Sequence, residues 1–319
     1  MLLAWREFES GKRDRKDVQM FSLNLMDNII SLHNDLENFI YKHRKYQAFR
    51  INDPKPRSIH KASVRDRLLH HAVYRILYPF FDKIFVSDSF SCRNFKGTHN
   101  ALNRFRSFTQ KESENSKKTV WVLKCDIRKF FENIDHEILL EILKKYISDK
   151  NIIWLLEKVI YSFSAAPGRG LPLCNLTSQL FVNIYMNEFD QFAKHNLKAK
   201  YYIRYADDFV VLSQDKSWLE ELLPKMGDFL EERLKLKIHP DKIFIKTLSS
   251  GVDFLGWVHF PDHRVLRTTT KKRMFRNIKN KEGNTNTVQS YLGLLSHGNS
   301  RRLEEKIMDC QITSGAEEV

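Results

Sequence analysis

The chain has 319 residues, 42% of them hydrophobic and 29% charged, enough to bury a sizeable core and to build two or three subdomains. Its 53 Lys and Arg outnumber 39 acids, and the net charge of +14 attracts polyanions, nucleic acid first and an anionic membrane surface second. No run of about 20 apolar residues is present to span a bilayer, and Met1-Leu-Leu-Ala-Trp5 is too short for a secretory signal. Cys92, Cys125, Cys174 and Cys310 lack paired zinc spacing and read as reduced thiols of a cytoplasmic protein.

Residues 5–48 are rich in charge. Phe21, Leu25, Ile29, Leu32 and Leu36 recur at helical spacing, which predicts one buried helix face with a basic, solvated side. Residues 49–59 hold two short extended pieces about a Pro-interrupted turn, with Arg50 before it and Arg57 after it. Ser63 reads as the N-cap of a helix over residues 63–77, with Asp66 three residues on in a capping-box arrangement. His70 and His71 are adjacent, cannot share a helix face and are assigned no metal. Residues 109–118 are polar and read as a loop and a domain boundary.

A strand-like run then ends on Asp126, and a helical pattern follows over residues 137–146. An acid at the end of a strand, just before the chain turns toward a helix, is well placed to project into a cleft. Glycines and prolines in residues 167–179 permit close backbone approach to a ligand ahead of a helix over 180–192. The most informative stretch is residues 201–213, where two apolar, β-branched and aromatic runs flank Asp207 and Asp208 and predict a hairpin. At an ordinary hairpin end two aspartates only add solubility. Here the flanks imply a buried sheet, in which an unpaired acid costs several kcal/mol. A metal relieves that cost, and magnesium takes carboxylates together with substrate phosphates at such places. With Asp126 the set would hold two ions roughly 3.5–4 Å apart for in-line displacement at phosphorus. Further on, the pattern predicts a helix over 217–236 despite Pro224, a turn and strand over 235–247, a hairpin over 251–257, a basic stretch over 264–281 and an apolar helix over 290–303.

Tyr205-Ala-Asp-Asp208 and the segment from Asp126 to Phe131 resemble the metal-binding motifs of the reverse transcriptases, and further blocks in the family's order run from about Phe49 to Ile307. The resemblance implies an α+β right-hand polymerase with fingers over 1–118, a ferredoxin-like palm with the catalytic site over 119–262, and a short helical thumb over 263–319. Residues 167–179 would line the fingers–palm junction. It implies copying of a template RNA into DNA from dNTPs, with two Mg²⁺ on Asp126, Asp207 and Asp208. Arg50 and Arg57 would grip the incoming triphosphate, since a guanidinium fork suits phosphate oxygens. Phe131 falls at the family's gate position, where a ring under the sugar leaves no room for a 2′-hydroxyl; Phe130 beside it would be core. Lys242 would donate a proton to leaving pyrophosphate. Phe254, Leu255 and Gly256 resemble the primer grip. Arg93, Lys96 and Gly97 would lie near template backbone, and Arg67 would bind template or a neighbouring carboxylate.

Leu173, Cys174, Ser178 and Gln179 fall in a block that many family members write Gln-Gly-X-X-X-Ser-Pro. An aliphatic first residue and a closing Ser-Gln look like the enzymes of diversity-generating retroelements. Those enzymes work with a structured template RNA and a small basic accessory protein, and err at template adenines. Cys174 stands where even they have glycine. A defence-associated enzyme of normal fidelity is the alternative; retron and group II intron enzymes fit the blocks less well. No ribonuclease H, endonuclease or zinc-ribbon segment is expected after the thumb. A catalytically idle RNA-binding scaffold is the rival from another class, and the three intact acids argue against it.

Overall fold

In the computed structural model, residues 1–52, 56–281 and 284–315 are described, with side chains to residue 308. Apolar residues spaced at three and four make the N-terminal region helical. α1 (Leu2–Glu9), α2 (Lys16–Leu23) and α3 (Leu25–Glu37) share one apolar cluster with α4 (Val64–Phe81), burying Trp5, Phe8, Val18, Ile29 and Leu32. The stripe from Phe21 to Leu36 is two helices and not one, because Asn24 (φ −121°, ψ 44°) breaks it. Between α3 and α4, β1 (Gln47–Ile51) pairs antiparallel with β2 (Arg57–Lys61), setting Arg50 opposite Ser58 and Ile51 opposite Arg57. The tip of the expected Pro-interrupted turn, residues 53–55, lies outside the described residues.

Ser63 caps α4 as expected, its Oγ accepting the Asp66 N–H at 3.2 Å. Asp66 does not reach back to close a capping box. Its fully buried carboxylate takes the Ser63 hydroxyl at 2.6 Å, the Tyr41 hydroxyl at 2.8 Å and the Arg44 N–H at 3.2 Å, anchoring the chain where it enters β1. Arg67 is structural, donating to Asp17 on α2. α5 (Gly97–Glu112) runs four residues into the stretch expected as a loop, because Phe105, Phe108 and Thr109 are buried and hold its last turn to the core.

His70 sits in α4 with neither ring nitrogen bonded, stacked on His43 at 5.3 Å, and burial pushes it down to about 3. Between that value and the unfolded value of about 6.5 the unfolded chain binds the extra proton, so acid destabilises the fold by about 1.4 kcal/mol per pH unit through this side chain. Between pH 6.5 and 5, His70→Leu is therefore expected to lose about 2 kcal/mol less stability than the wild type in urea unfolding. Equal losses would show His70 to be hydrated.

β3 (Trp121–Asp126), β4 (Tyr201–Tyr205), β5 (Asp208–Ser213) and β6 (Phe244–Thr247) form an antiparallel sheet in the order β4-β5-β3-β6. α6 (His136–Tyr146), α7 (Lys150–Ile160) and α8 (Leu176–Gln191) lie between β3 and β4, and α9 (Lys216–Leu234) lies between β5 and β6. A βαββαβ succession with the first strand beside the third is the ferredoxin-like arrangement. Alternation sorts each strand between two cores. Leu123, Cys125, Tyr202, Phe209 and Val211 face the helices α4 and α6 to α9. Val122, Tyr201, Ile203, Val210 and Leu212 face α5 and the C-terminal elements.

Those elements are β7 (Val252–Phe254), β8 (Trp257–His259) and β9 (Arg264–Leu266), a second antiparallel sheet, followed by α10 (Thr268–Asn280), α11 (Thr285–Leu295) and α12 (Arg301–Gly315). The apolar helix expected over 290–303 is interrupted between α11 and α12. There Gly298 lies against Trp257, and a Cβ would fall 2.0 Å from the indole ring, so the chain needs glycine at that point. No helix among the described residues is long and apolar enough to cross a membrane.

Candidate active site

The period of the strands delivers the three acids to one place. Asp126 ends β3 and pairs in register with Asp208, the first residue of β5, so both lie on the sheet face of Val122 and Val210. Asp207 occupies the two-residue loop between Tyr205 and Asp208, and its carbonyl accepts the Ile127 N–H at 3.1 Å, tying the loop to the end of β3. Burial, and then the charges of Asp126 and Asp208, push Asp207 up to about 6. Burial also raises Asp208, opposed by Lys124.

Two lysines stand against this negative charge. Lys242, from the 3₁₀ turn Pro240–Lys242 ahead of β6, donates to Asp126 Oδ1 at 2.6 Å. Lys124, two residues before Asp126 and so on the same face, lies 3.4 Å from Asp208 Oδ1. Lys124 was missed in the sequence, although that spacing of two on a strand was the available signal. Among the described residues no three His, Cys, Asp or Glu side chains form a ready-made metal cage. The acids nonetheless suit a hard cation. They are all oxygen donors, they repel one another, and the buried Asp208 Oδ1 has only the Lys124 ammonium, 3.4 Å away, against it.

The loop itself is strained. Ala206 adopts φ +55°, a conformation that favours glycine, at the first central position of a two-residue hairpin. Arg204 holds it there, donating from Nη1 to the Ala206 carbonyl at 3.1 Å. The rest of that guanidinium is bidentate to Asp190 on α8, with Nε and Nη2 at 2.7 Å from its two oxygens, and Tyr202 donates to the same carboxylate at 2.6 Å. Ser89 Oγ accepts a further Nη2 bond at 3.1 Å, and both charged side chains are fully buried. An arginine inside an otherwise apolar strand was the sequence signal for this pair.

Residues 165–179 connect the other expected contacts. The Leu171 N–H donates to the carbonyl of Phe131 at 2.8 Å, and Asn175 Nδ2 donates to the carbonyl of His60 on β2 at 3.3 Å. The segment thus ties Phe131 to the hairpin that carries Arg50 and Arg57. Phe130 is buried and Phe131 only half-buried, in the 3₁₀ turn Phe130–Asn133, while Arg50 and Arg57 are exposed. Helix α8 begins at Leu176, earlier than expected, so Ser178 is buried and Gln179 half-buried in its first turn, with Leu173 half-buried before it.

Cys174 is exposed and takes φ +71°, the left-handed region in which glycine is at ease. Cys174→Gly is expected to raise stability by about 1 kcal/mol by relieving that strain, whereas Cys174→Ala gives no gain. Urea unfolding of the two variants checks this.

The side chains of other expected contacts are engaged within the fold. Phe254 presents no ring to a primer, being fully buried against Phe105 at 5.4 Å; Leu255 (φ +49°) and Gly256 (φ +87°) form the turn between β7 and β8. Arg93 is unavailable to template, since its guanidinium bonds Asp82 and the carbonyls of Asp82, Val86 and Ser89. Lys96 donates to the Ser87 carbonyl at 2.8 Å. Both residues fasten the loop that leads into α5, and Gly97 opens the helix itself.

The family profile described as "Reverse transcriptase (RNA-dependent DNA polymerase)" matches residues 44–259, and the chain belongs to that family. Protein YkfC of Escherichia coli K12 is 26% identical, covering 66% of this chain and 63% of YkfC. The group II intron-encoded protein LtrA of Lactococcus lactis is 24% identical, covering 72% of this chain and 48% of LtrA. The chain thus spans 63% and 48% of the lengths of these two relatives. Telomerase of Candida albicans, solved with a TWJ fragment of telomeric RNA, matches at a TM-score of 0.55 and 12% identity, over 86% of this chain and 56% of that one. Apo telomerase of Candida tropicalis matches at the same TM-score and identity over 69% of this chain and 47% of its own. These likenesses place the fold as the α+β right-hand polymerase fold.

Proposed function

We propose that the chain copies an RNA template into DNA by nucleotidyl transfer from dNTPs. The observation that carries this reading is the meeting of Asp126, Asp207 and Asp208 at the end of β3 and the β4–β5 loop, on a family match that spans them. The three carboxylates would hold two Mg²⁺, whose charge, when bound, activates a primer 3′-hydroxyl and stabilises leaving pyrophosphate. Lys242 holds Asp126 in place and, released from it, would protonate the pyrophosphate. Arg50 and Arg57, exposed on β1 and β2, would bind the triphosphate, and the half-buried Phe131 would close the space beside the sugar 2′ position. Fingers over 1–118, palm over 119–262 and thumb over 263–319 are the divisions this reading assigns. Magnesium-dependent extension of a DNA primer on an RNA template tests it. No extension by folded wild-type protein on any of several template–primer pairs would overturn it.

The finer reading is a diversity-generating enzyme, with a structured template RNA and a small basic accessory protein as partners. The named relatives above include an intron-encoded protein, so this subclass is supported by residues 173–179 alone. A pocket edged by aliphatic Leu173 and flexible Gln179 discriminates base pairs less strictly than one with a glutamine and a proline there. Misincorporation is therefore expected to concentrate opposite template adenine, and Leu173→Gln is expected to reduce it more than errors at the other bases. Sequencing of cDNA made on a defined RNA checks this, and low, equal error at all four bases would leave an enzyme of normal fidelity.

A further inference from the structure

A cavity of about 310 Å³ opens between α5, the turn joining β8 to β9 and the loop joining α11 to α12. It lies at the opposite end of β8 from the Leu255–Gly256 turn, and none of the three acids lines it. Its wall is rich in unspent donors. Arg264 gives Nε to the His297 carbonyl, but its buried Nη1 has no partner. Arg106, on α5, engages no carboxylate among the described residues, and its charge joins burial in pulling Arg264 below the ordinary arginine range. His259 is 3% exposed, its ring packed on Phe105 at 4.6 Å, and its Nε2 is unbonded. Asp262, the carboxylate on the wall, is 82% exposed and already accepts from His263 at 2.7 Å.

Arg106, exposed on α5, and Arg264 both line the cavity, and their like charges beside an unbonded imidazole are relieved by an anion. We propose that this cavity binds a phosphate group, held by Arg106 and Arg264 with His259 as the third contact. The three side chains come from three elements, α5, β9 and β8, and so approach from different directions. That suits a tetrahedral anion better than a planar carboxylate, whose two oxygens one fork satisfies. His259 is held neutral by burial and by Arg264, and its unbonded Nε2 can meet the anion either by accepting a phosphate hydroxyl or by donating to a phosphate oxygen. The phosphate has two possible sources, a phosphodiester of bound nucleic acid or a free phosphate, and either would brace the C-terminal helices against α5.

Calorimetric titration of inorganic phosphate at constant ionic strength tests the proposal. Saturable binding is expected in the wild type. It should weaken about tenfold or more in Arg106→Gln and His259→Phe. Arg106 leaves no partner stranded when removed, so its variant remains informative if the other fails to fold. Displacement of phosphate by an RNA–DNA duplex identifies the phosphodiester source, whereas phosphate still bound to duplex-saturated protein identifies the free ion. No saturable binding, or variants that bind as the wild type does, would overturn the proposal. Binding is read without catalysis, so its failure and that of the polymerase reading are separately visible.

Discussion

Asp207→Asn is expected to reduce primer extension by about a hundred- to a thousandfold while raising the melting temperature of the metal-free protein. Both effects have one source. Asp207 is pushed up to about 6 by burial and by the Asp126 and Asp208 charges beside it. Above that value the folded chain must hold an ionised carboxylate that the unfolded chain accommodates without strain. At pH 7 and above, this lowers stability by about 3 kcal/mol, and the loss is relieved as pH falls from 6 toward 4, where the folded state keeps its proton more readily. Asparagine keeps the shape, removes the charge and abolishes the penalty. Melting curves in EDTA should show the variant as the more stable protein, and added Mg²⁺ should reverse the order by stabilising only the wild type. Template RNA binding should change by no more than a few-fold, since it rests on the basic surface. A variant that still extends primers at a tenth of the wild-type rate would remove Asp207 from the catalytic set. One that is less stable than the wild type in EDTA would contradict the crowding of charge.

The second large effect is expected at Arg204, which touches no substrate in this reading. Arg204→Met leaves the fully buried Asp190 carboxyl without its counter-charge, a change that costs about 3–5 kcal/mol. It also frees the Ala206 carbonyl, so the strained loop bearing Asp207 loses its brace. Extension should therefore fall further than in a variant equally destabilised at a distant site such as Leu32. Pairing the change with Asp190→Leu should restore part of the stability, because two apolar side chains of similar size replace the ion pair without stranding a charge, although the buried Tyr202 hydroxyl loses its acceptor. It should not restore the full rate, because the loop still lacks its donor. Urea unfolding of the single and double variants, with extension rates for each, separates the two roles. A single variant costing under about 1 kcal/mol, or a double no more stable than either single, would refute the buried pair.

What the sequence determined by itself was local. Apolar, β-branched and aromatic runs marked the β3 strand and the β4–β5 hairpin, and the three acids were legible because each stands at the end of such a run. Ser63 was readable as a cap from its neighbours alone. The glycine-type position at residue 174 was visible as a mismatch with the family block, and its φ of +71° gives that mismatch a physical meaning. Tertiary structure decided the rest. Periodicity says which face of an element is apolar, but not what that face meets. Phe254 is core because α5 lays Phe105 across β7. Asn24 ends α2 within a stripe whose spacing is continuous across it. Arg93 is consumed by Asp82 and three carbonyls of its own loop. Arg204 and Asp190 meet from β4 and α8, and their pairing in turn positions the loop of Asp207. A buried charge is tolerated only beside its partner, and that partner is chosen by the packing of a helix on a sheet, which the periodicity of neither element shows.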